Sequence, residues 1–195
     1  MTMPEVPAGT QALLFDCDGT MVDTMGVYRL GWDEVFARYG FDVTDEWFAT
    51  WGGHSTAPFV RAALPDADAE LVRQVAREGH DAFLANIHQV EAFEAVVAVA
   101  RAHHGLLPLA IVSGGPRRAV VASLESVGID HLFDIVVTVD DVAQGKPAPD
   151  AYVHAMERLG VDPSWCVAYE DSASGIASAR DAGIVRIVDV RLHRD

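Results

Sequence analysis

An α/β fold built on a doubly wound parallel sheet is what the sequence predicts, on three observations. Short, continuously apolar runs recur along the chain, stretches with helical apolar spacing separate them, and carboxylates or a serine follow directly after the runs. Strands buried on both faces read as unbroken apolar runs rather than as alternation. In such sheets ligands gather outside the carboxyl ends of the strands, which is where the polar residues fall.

The first run, Ala12-Leu13-Leu14-Phe15, reads as a buried strand that delivers Asp16 and Asp18 to its carboxyl end. Side chains alternate along a strand, so the two acids are expected on one side. Gly19 and Thr20 then turn the chain. From about Met25 to Ala92 there is no convincing strand alternation. Tyr28, Trp32, Val35, Phe36 and Tyr39 are spaced as one face of a helix that Gly40 ends. A second helix carries Leu71, Val72, Val75, Ala82 and Phe83 after the break at Leu64-Pro65-Asp66. Four further strands are expected at Leu109–Val112, Ile135–Val139, Cys166–Tyr169 and Arg186–Val190. Helices lie between them, one with the stripe Val120, Val121, Leu124 and Val127 closed by Gly128, another with Tyr152, Ala155, Met156 and Leu159 closed by Gly160. The expected division is an α/β core over 1–25 and 93–195 and a helical insertion over 26–92.

The chain has 195 residues, half of them hydrophobic, and a net charge of -15. That charge disfavours nucleic acid and anionic membrane surfaces as partners. It leaves room for a small phosphorylated metabolite, because cations gathered at one site offset it locally. No apolar segment approaches membrane-spanning length. The N-terminal Met-Thr-Met-Pro-Glu-Val-Pro lacks a basic stretch followed by an apolar one, and the only cysteines are Cys17 and Cys166. A cytoplasmic protein without disulfides is the expectation. A protein partner is left open.

Asp16 and Asp18 placed together can divide nucleophilic and proton-transfer roles, and with a further carboxylate they can hold a hard cation. Glu170 and Asp171 follow a strand and supply such carboxylates, although acids at a helix start also suit the helix dipole. Lys146 is the only lysine, in Gly145-Lys146-Pro147-Ala148-Pro149-Asp150. A compact ammonium there can reach a carboxylate and a phosphate oxygen together, and flanking prolines stiffen the segment against the alternative of a solvated loop lysine. Ser113 ends a strand before Gly114-Gly115 and fits both a helix cap and a phosphate donor. Arg117 is a candidate anion contact or a solvated helix start, and His54 a candidate substrate contact or an ordinary loop histidine.

Four segments occur in order: Phe15-Asp16-Cys17-Asp18-Gly19-Thr20-Met21-Val22-Asp23, Ile111-Val112-Ser113-Gly114, Gly145-Lys146-Pro147, and Tyr169-Glu170-Asp171-Ser172-Ala173-Ser174-Gly175. With these the chain resembles the haloacid dehalogenase superfamily, in the branch of sugar-phosphate phosphatases and β-phosphoglucomutases, and is similar to fructose-1-phosphate phosphatase-type enzymes. The resemblance implies a Rossmann-like core, a helical cap inserted after the first strand, and a magnesium-dependent phosphatase of small phosphorylated sugars or related metabolites. It makes Asp16 the nucleophile that forms an aspartyl-phosphate and Asp18 the general acid and base. Gly19, Thr20, Ser113, Gly114 and Lys146 become contacts to the phosphoryl group, with Arg117 and His54 as further substrate contacts. The Mg2+ ligands it implies are Asp16, the main-chain carbonyl of Asp18, Asp171, and Glu170, which either binds through water or positions Lys146.

Two other readings stand beside this one. A β-phosphoglucomutase would pass the phosphoryl group to another sugar hydroxyl. Its cap carries a histidine, an arginine and a lysine where this chain has Tyr28, Ser55 and Gly79. A catalytically silent binding module would keep the fold for a protein partner, and the presence of Asp16, Lys146 and Asp171 counts against it.

Overall fold

The computed structural model describes residues 3–52 and 56–193. Strand β1 (Ala12–Phe15) is followed by a tight turn and the two-residue strand β2 (Val22–Asp23). Four helices come next: α1 (Met25–Arg38), α2 (Asp45–Trp51), α3 (Thr56–Ala63) and α4 (Ala69–Ala85). Strand β3 (Glu91–Ala92) then pairs antiparallel with β2, Val22 opposite Ala92 and Asp23 opposite Glu91. Beyond it strands and helices alternate as α5 (Glu94–His103), β4 (Leu109–Val112), α6 (Arg117–Ser126) and β5 (Ile135–Val137). The chain continues through α7 (Asp150–Leu159), β6 (Cys166–Glu170), α8 (Ala173–Asp181) and β7 (Arg186–Asp189).

The chain divides into two units, Met1–Asp23 with Glu91–Asp195, and Thr24–Val90. The short β2–β3 ladder belongs to the first, which is why the division falls two residues from each of the expected boundaries. In that unit a five-stranded sheet has the order β5-β4-β1-β6-β7, parallel throughout. β1, β4 and β6 are buried along their whole length, and their apolar sequence, unbroken except for Glu170 at the end of β6, reflects cover on both faces. The chain winds outward from β1 first toward β5 and then toward β7, so the reversal of strand order lies at the carboxyl end of β1.

Two strands end earlier than their apolar runs. β5 stops at Val137 because Thr138 opens a helical turn, its main-chain N–H and its hydroxyl both donating to Asp141 at 2.8 Å. β7 stops at Asp189, which caps the next turn by accepting from Arg191 N at 3.1 Å. The expected pleat does not carry Asp18. β1 ends at Phe15, and the N–H groups of Thr20, Met21 and Val22 converge on the Cys17 carbonyl at 2.9–3.2 Å, folding the segment into a turn.

In the second unit the helices close on an aromatic core in which Trp32 stacks on Phe36 at 5.2 Å and Trp47 meets Phe59 at 4.9 Å. Helices α2 and α3, both short, are not anticipated by the sequence pattern. Gly79 on α4 faces the Trp32 indole so closely that a Cβ there would lie 2.1 Å from the ring. No helix among the described residues is long and apolar enough to cross a membrane.

Candidate active site

The site follows from register. Phe15 is level with Ile111 on one side and Tyr169 on the other, so Asp16, Val112 and Glu170 emerge side by side at the carboxyl edge. Alternation adds a common face. Leu14, Ala110 and Ala168 point into the core layer that contains Tyr152 of α7, and two residues further on Asp16, Val112 and Glu170 share that parity.

Lys146 reaches this edge from the loop before α7. Its Nζ donates to Asp16 Oδ1 at 2.8 Å, to the Val112 carbonyl at 2.7 Å and to Glu170 Oε1 at 2.5 Å. Three acceptors match the three N–H bonds of an ammonium, one from each of three adjacent strand ends. The side chain is 7% exposed, so this is a buried charge that is fully paired.

Glu170 is wholly buried and accepts on both oxygens. Oε1 takes Lys146 Nζ and, at 2.9 Å, the Tyr152 hydroxyl. Oε2 takes Asp171 N and Ser172 Oγ at 3.2 Å and Ser172 N at 3.4 Å. Gly175 in the first turn of α8 leaves the space for this carboxylate, since a Cβ there would lie 1.9 Å from Oε1. Gly175→Ala must therefore displace Glu170 and its donors. A loss of more than about 2 kcal/mol in denaturant unfolding is expected.

One oxygen from each of Asp16, Glu170 and Asp171 lies within 4.8 Å of the other two. Burial pushes the Asp16 carboxyl well above the usual carboxylate range; Lys146 pulls it down, and Glu170 and Asp171 push it further up. Burial alone would lower Lys146, but Asp16 and Glu170 outweigh it and hold the ammonium charged. One ammonium, paired with Asp16 and Glu170, stands beside a cluster of three carboxylates. Hard oxygen donors with uncompensated negative charge fit a magnesium ion.

Gly19 has φ +79°, and a Cβ on it would lie 2.2 Å from Asp171 Oδ2, so this turn admits only glycine. Thr20 is buried, its hydroxyl 3.4 Å from Asp171 Oδ1. Ser113 Oγ accepts from Gly115 N at 3.0 Å and lies 3.4 Å from Asp18 Oδ2, tying the end of β4 to the second acid. Gly114 is exposed, while Gly115, which carries no signal of a role in the sequence, packs against Asp18 and Ser113.

Arg117 is not brought to this group. Its Nη2 donates to the Val136 carbonyl at 3.0 Å and to Asp141 at 2.5 Å, so the guanidinium braces the end of β5. His54 lies outside the described residues. Tyr152 reads only as core in the sequence, because its position in an apolar stripe carries no sign that its hydroxyl meets Glu170. Cys17 and Cys166 are buried free thiols, and burial raises both, Cys166 to about 11.

A parallel sheet whose first strand delivers an acid to a buried lysine and a carboxylate cluster defines a class of hydrolase, and sequence comparison agrees. The chain matches the family model described as haloacid dehalogenase-like hydrolase over residues 10–183, and it belongs to that family. It is 35% identical over 181 residues to the fructose-1-phosphate phosphatase YqaB of Escherichia coli (strain K12), covering 92% of this chain and 96% of that one. It is 29% identical over 185 residues to a phosphorylated carbohydrates phosphatase of Thermotoga maritima, covering 92% and 85%. Among solved structures, CbbY from Rhodobacter sphaeroides in complex with phosphate superposes with a TM-score of 0.81 at 24% identity over 92% of this chain and 94% of that one, a likeness of fold.

Proposed function

We propose that this protein is a magnesium-dependent phosphatase of a small phosphorylated sugar or related metabolite, working through an aspartyl-phosphate at Asp16. The observation that carries the reading is the buried Asp16–Lys146–Glu170 arrangement beside Asp171 at the carboxyl edge of the sheet. The two phosphatases named above act, by their names, on fructose 1-phosphate and on phosphorylated carbohydrates, which supports the substrate class.

Asp16 attacks phosphorus in line with the leaving oxygen, and Lys146 holds its carboxylate in place. Asp18, held near Ser113, protonates the leaving oxygen and then takes a proton from the water that hydrolyses the acyl phosphate. Main-chain N–H groups after Gly19 and Ser113, with the Thr20 and Ser113 hydroxyls, are the donors to the phosphoryl oxygens. Asp16, Asp171 and the Asp18 carbonyl would hold magnesium, with Glu170 completing the acidic cluster while it positions Lys146. When bound, the ion offsets the repulsion between an anionic nucleophile and an anionic phosphate. The second unit, Thr24–Val90, serves as the cap that selects the substrate.

Phosphate release from an aryl phosphate and from a panel of sugar phosphates, with and without magnesium, tests this reading. Activity is expected to require the ion and to vanish in chelator. Asp171→Ala should raise the magnesium concentration needed by roughly 10-fold or more, the effect of losing a metal-holding group. Full activity in excess chelator would contradict the proposal.

The mutase reading gains nothing from the second unit. Trp32 covers Gly79 and excludes a longer side chain there, and Tyr28 stacks on Phe83 at 4.1 Å. Neither position offers the charge that would grip the far phosphate of a bisphosphate; Ser55 lies outside the described residues. With a bisphosphate primer supplied, NMR should show phosphate release outpacing interconversion of β-glucose 1-phosphate and glucose 6-phosphate. Faster isomerisation would select the mutase.

A further inference from the structure

We propose that Tyr152 is a positioning residue for this centre: its hydroxyl fixes the Glu170 oxygen that Lys146 also binds, so that Lys146 is presented to Asp16 in one geometry. This rests on the phosphatase reading for its consequence in turnover, but the geometry is independent of it.

Three observations converge on Tyr152. It is fully buried on α7, within the core layer against the sheet. Its hydroxyl donates to Glu170 Oε1 at 2.9 Å, the same oxygen that takes Lys146 Nζ. Its ring lies 5.1 Å from that Nζ, so the ammonium has the aromatic face beside it as well as three oxygen acceptors.

An apolar stripe needs no hydroxyl. A phenylalanine would fill the same volume without bringing a polar group into the core, where an unpaired one is costly. Here the hydroxyl is paired, and its partner is the carboxylate that anchors the lysine. Glu170 is held on its other oxygen by Ser172 and by the main chain at the start of α8. Tyr152, on α7, bonds Oε1 instead, so the two oxygens are held by separate elements and the carboxylate is fixed against rotation. Without it Oε1 keeps Lys146 alone, and the ammonium can follow Glu170 away from Asp16.

Lys146 is the only lysine of the chain, so lysine labelled with 13C and 15N gives a single set of side-chain signals, and its ε-methylene signal reports on the site without further residue assignment. In the unmodified protein its ε-methylene protons should show a nuclear Overhauser contact to the Tyr152 ring. Absence of that contact overturns the proposal, with no variant required. Tyr152→Phe, which keeps the ring, should shift and broaden the Lys146 signal. It should lower kcat on an aryl phosphate by roughly 10-fold, the scale of one hydrogen bond to a charged group, with KM and the magnesium requirement unchanged.

A Lys146 signal that is the same in both proteins overturns the proposal. So does an unchanged kcat, or a loss that falls on KM alone, which would mark a substrate contact and not positioning. If neither protein releases phosphate while the signal still moves as expected, the positioning stands and the phosphatase reading fails.

Discussion

Asp16→Asn is expected to lower turnover by at least roughly 10⁴-fold, since it removes the nucleophile while nearly preserving shape. The introduced amide still offers Lys146 an oxygen, so the fold is retained. The same substitution has a second, opposite signature. Asp16 is held well above its reference value of 3.8, chiefly by burial, so the folded protein binds that proton more tightly than the unfolded chain. Stability from such a group falls as pH rises from about 4 toward the raised value. Lys146 is also held up, but its contribution is complete below its reference of 10.5 and does not vary across this window. In chelator, therefore, Asp16→Asn should gain in melting temperature over the unmodified protein as pH is raised from about 4 to 8. A constant difference across that range would remove the electrostatic account of the cluster.

Lys146→Ala is expected to cost about 3–5 kcal/mol, because it leaves two buried carboxylates without their shared counter-ion. For a chain of this size that corresponds to a fall of roughly 6–20 °C in melting temperature. Removing a partner from an exposed pair, such as Arg73 from Glu70, should cost less than about 1 kcal/mol. Differential scanning calorimetry on both variants separates the cases. Turnover should fail in Lys146→Ala even at temperatures where the variant is folded, since Asp16 loses its orienting donor.

The strands that build the site are legible in the sequence for a physical reason. β1, β4 and β6 are covered on both faces, and their apolar sequences match their full burial. Asp16 directly after β1 and Glu170 at the last position of β6 are legible because each breaks an apolar run at its carboxyl end. What the sequence does not disclose depends on register. That Tyr152 meets Glu170 requires knowing that α7 packs on the face to which the even-numbered residues of β1 and β6 point. That Arg117 braces Val136 and Asp141 depends on how the turn after Thr138 closes. The β2–β3 ladder has two residues per strand, too few for any alternation to show. Helix α2, of seven residues, buries none of them completely and so shows no apolar stripe, while α3 is only eight residues long.

The most direct test of the central claim is chemical capture of the phosphorylated residue. The protein would be mixed with an aryl phosphate and magnesium, quenched in acid within a turnover, reduced with borohydride and digested for mass spectrometry. An aspartyl-phosphate at Asp16 is reduced to homoserine, so the peptide containing Ala12–Thr20 should carry homoserine at position 16, more abundantly in Asp18→Asn, where hydrolysis of the acyl phosphate is slowed. Phosphate release with position 16 unmodified in every quenched sample would show that water attacks the substrate directly and that Asp16 is not the nucleophile.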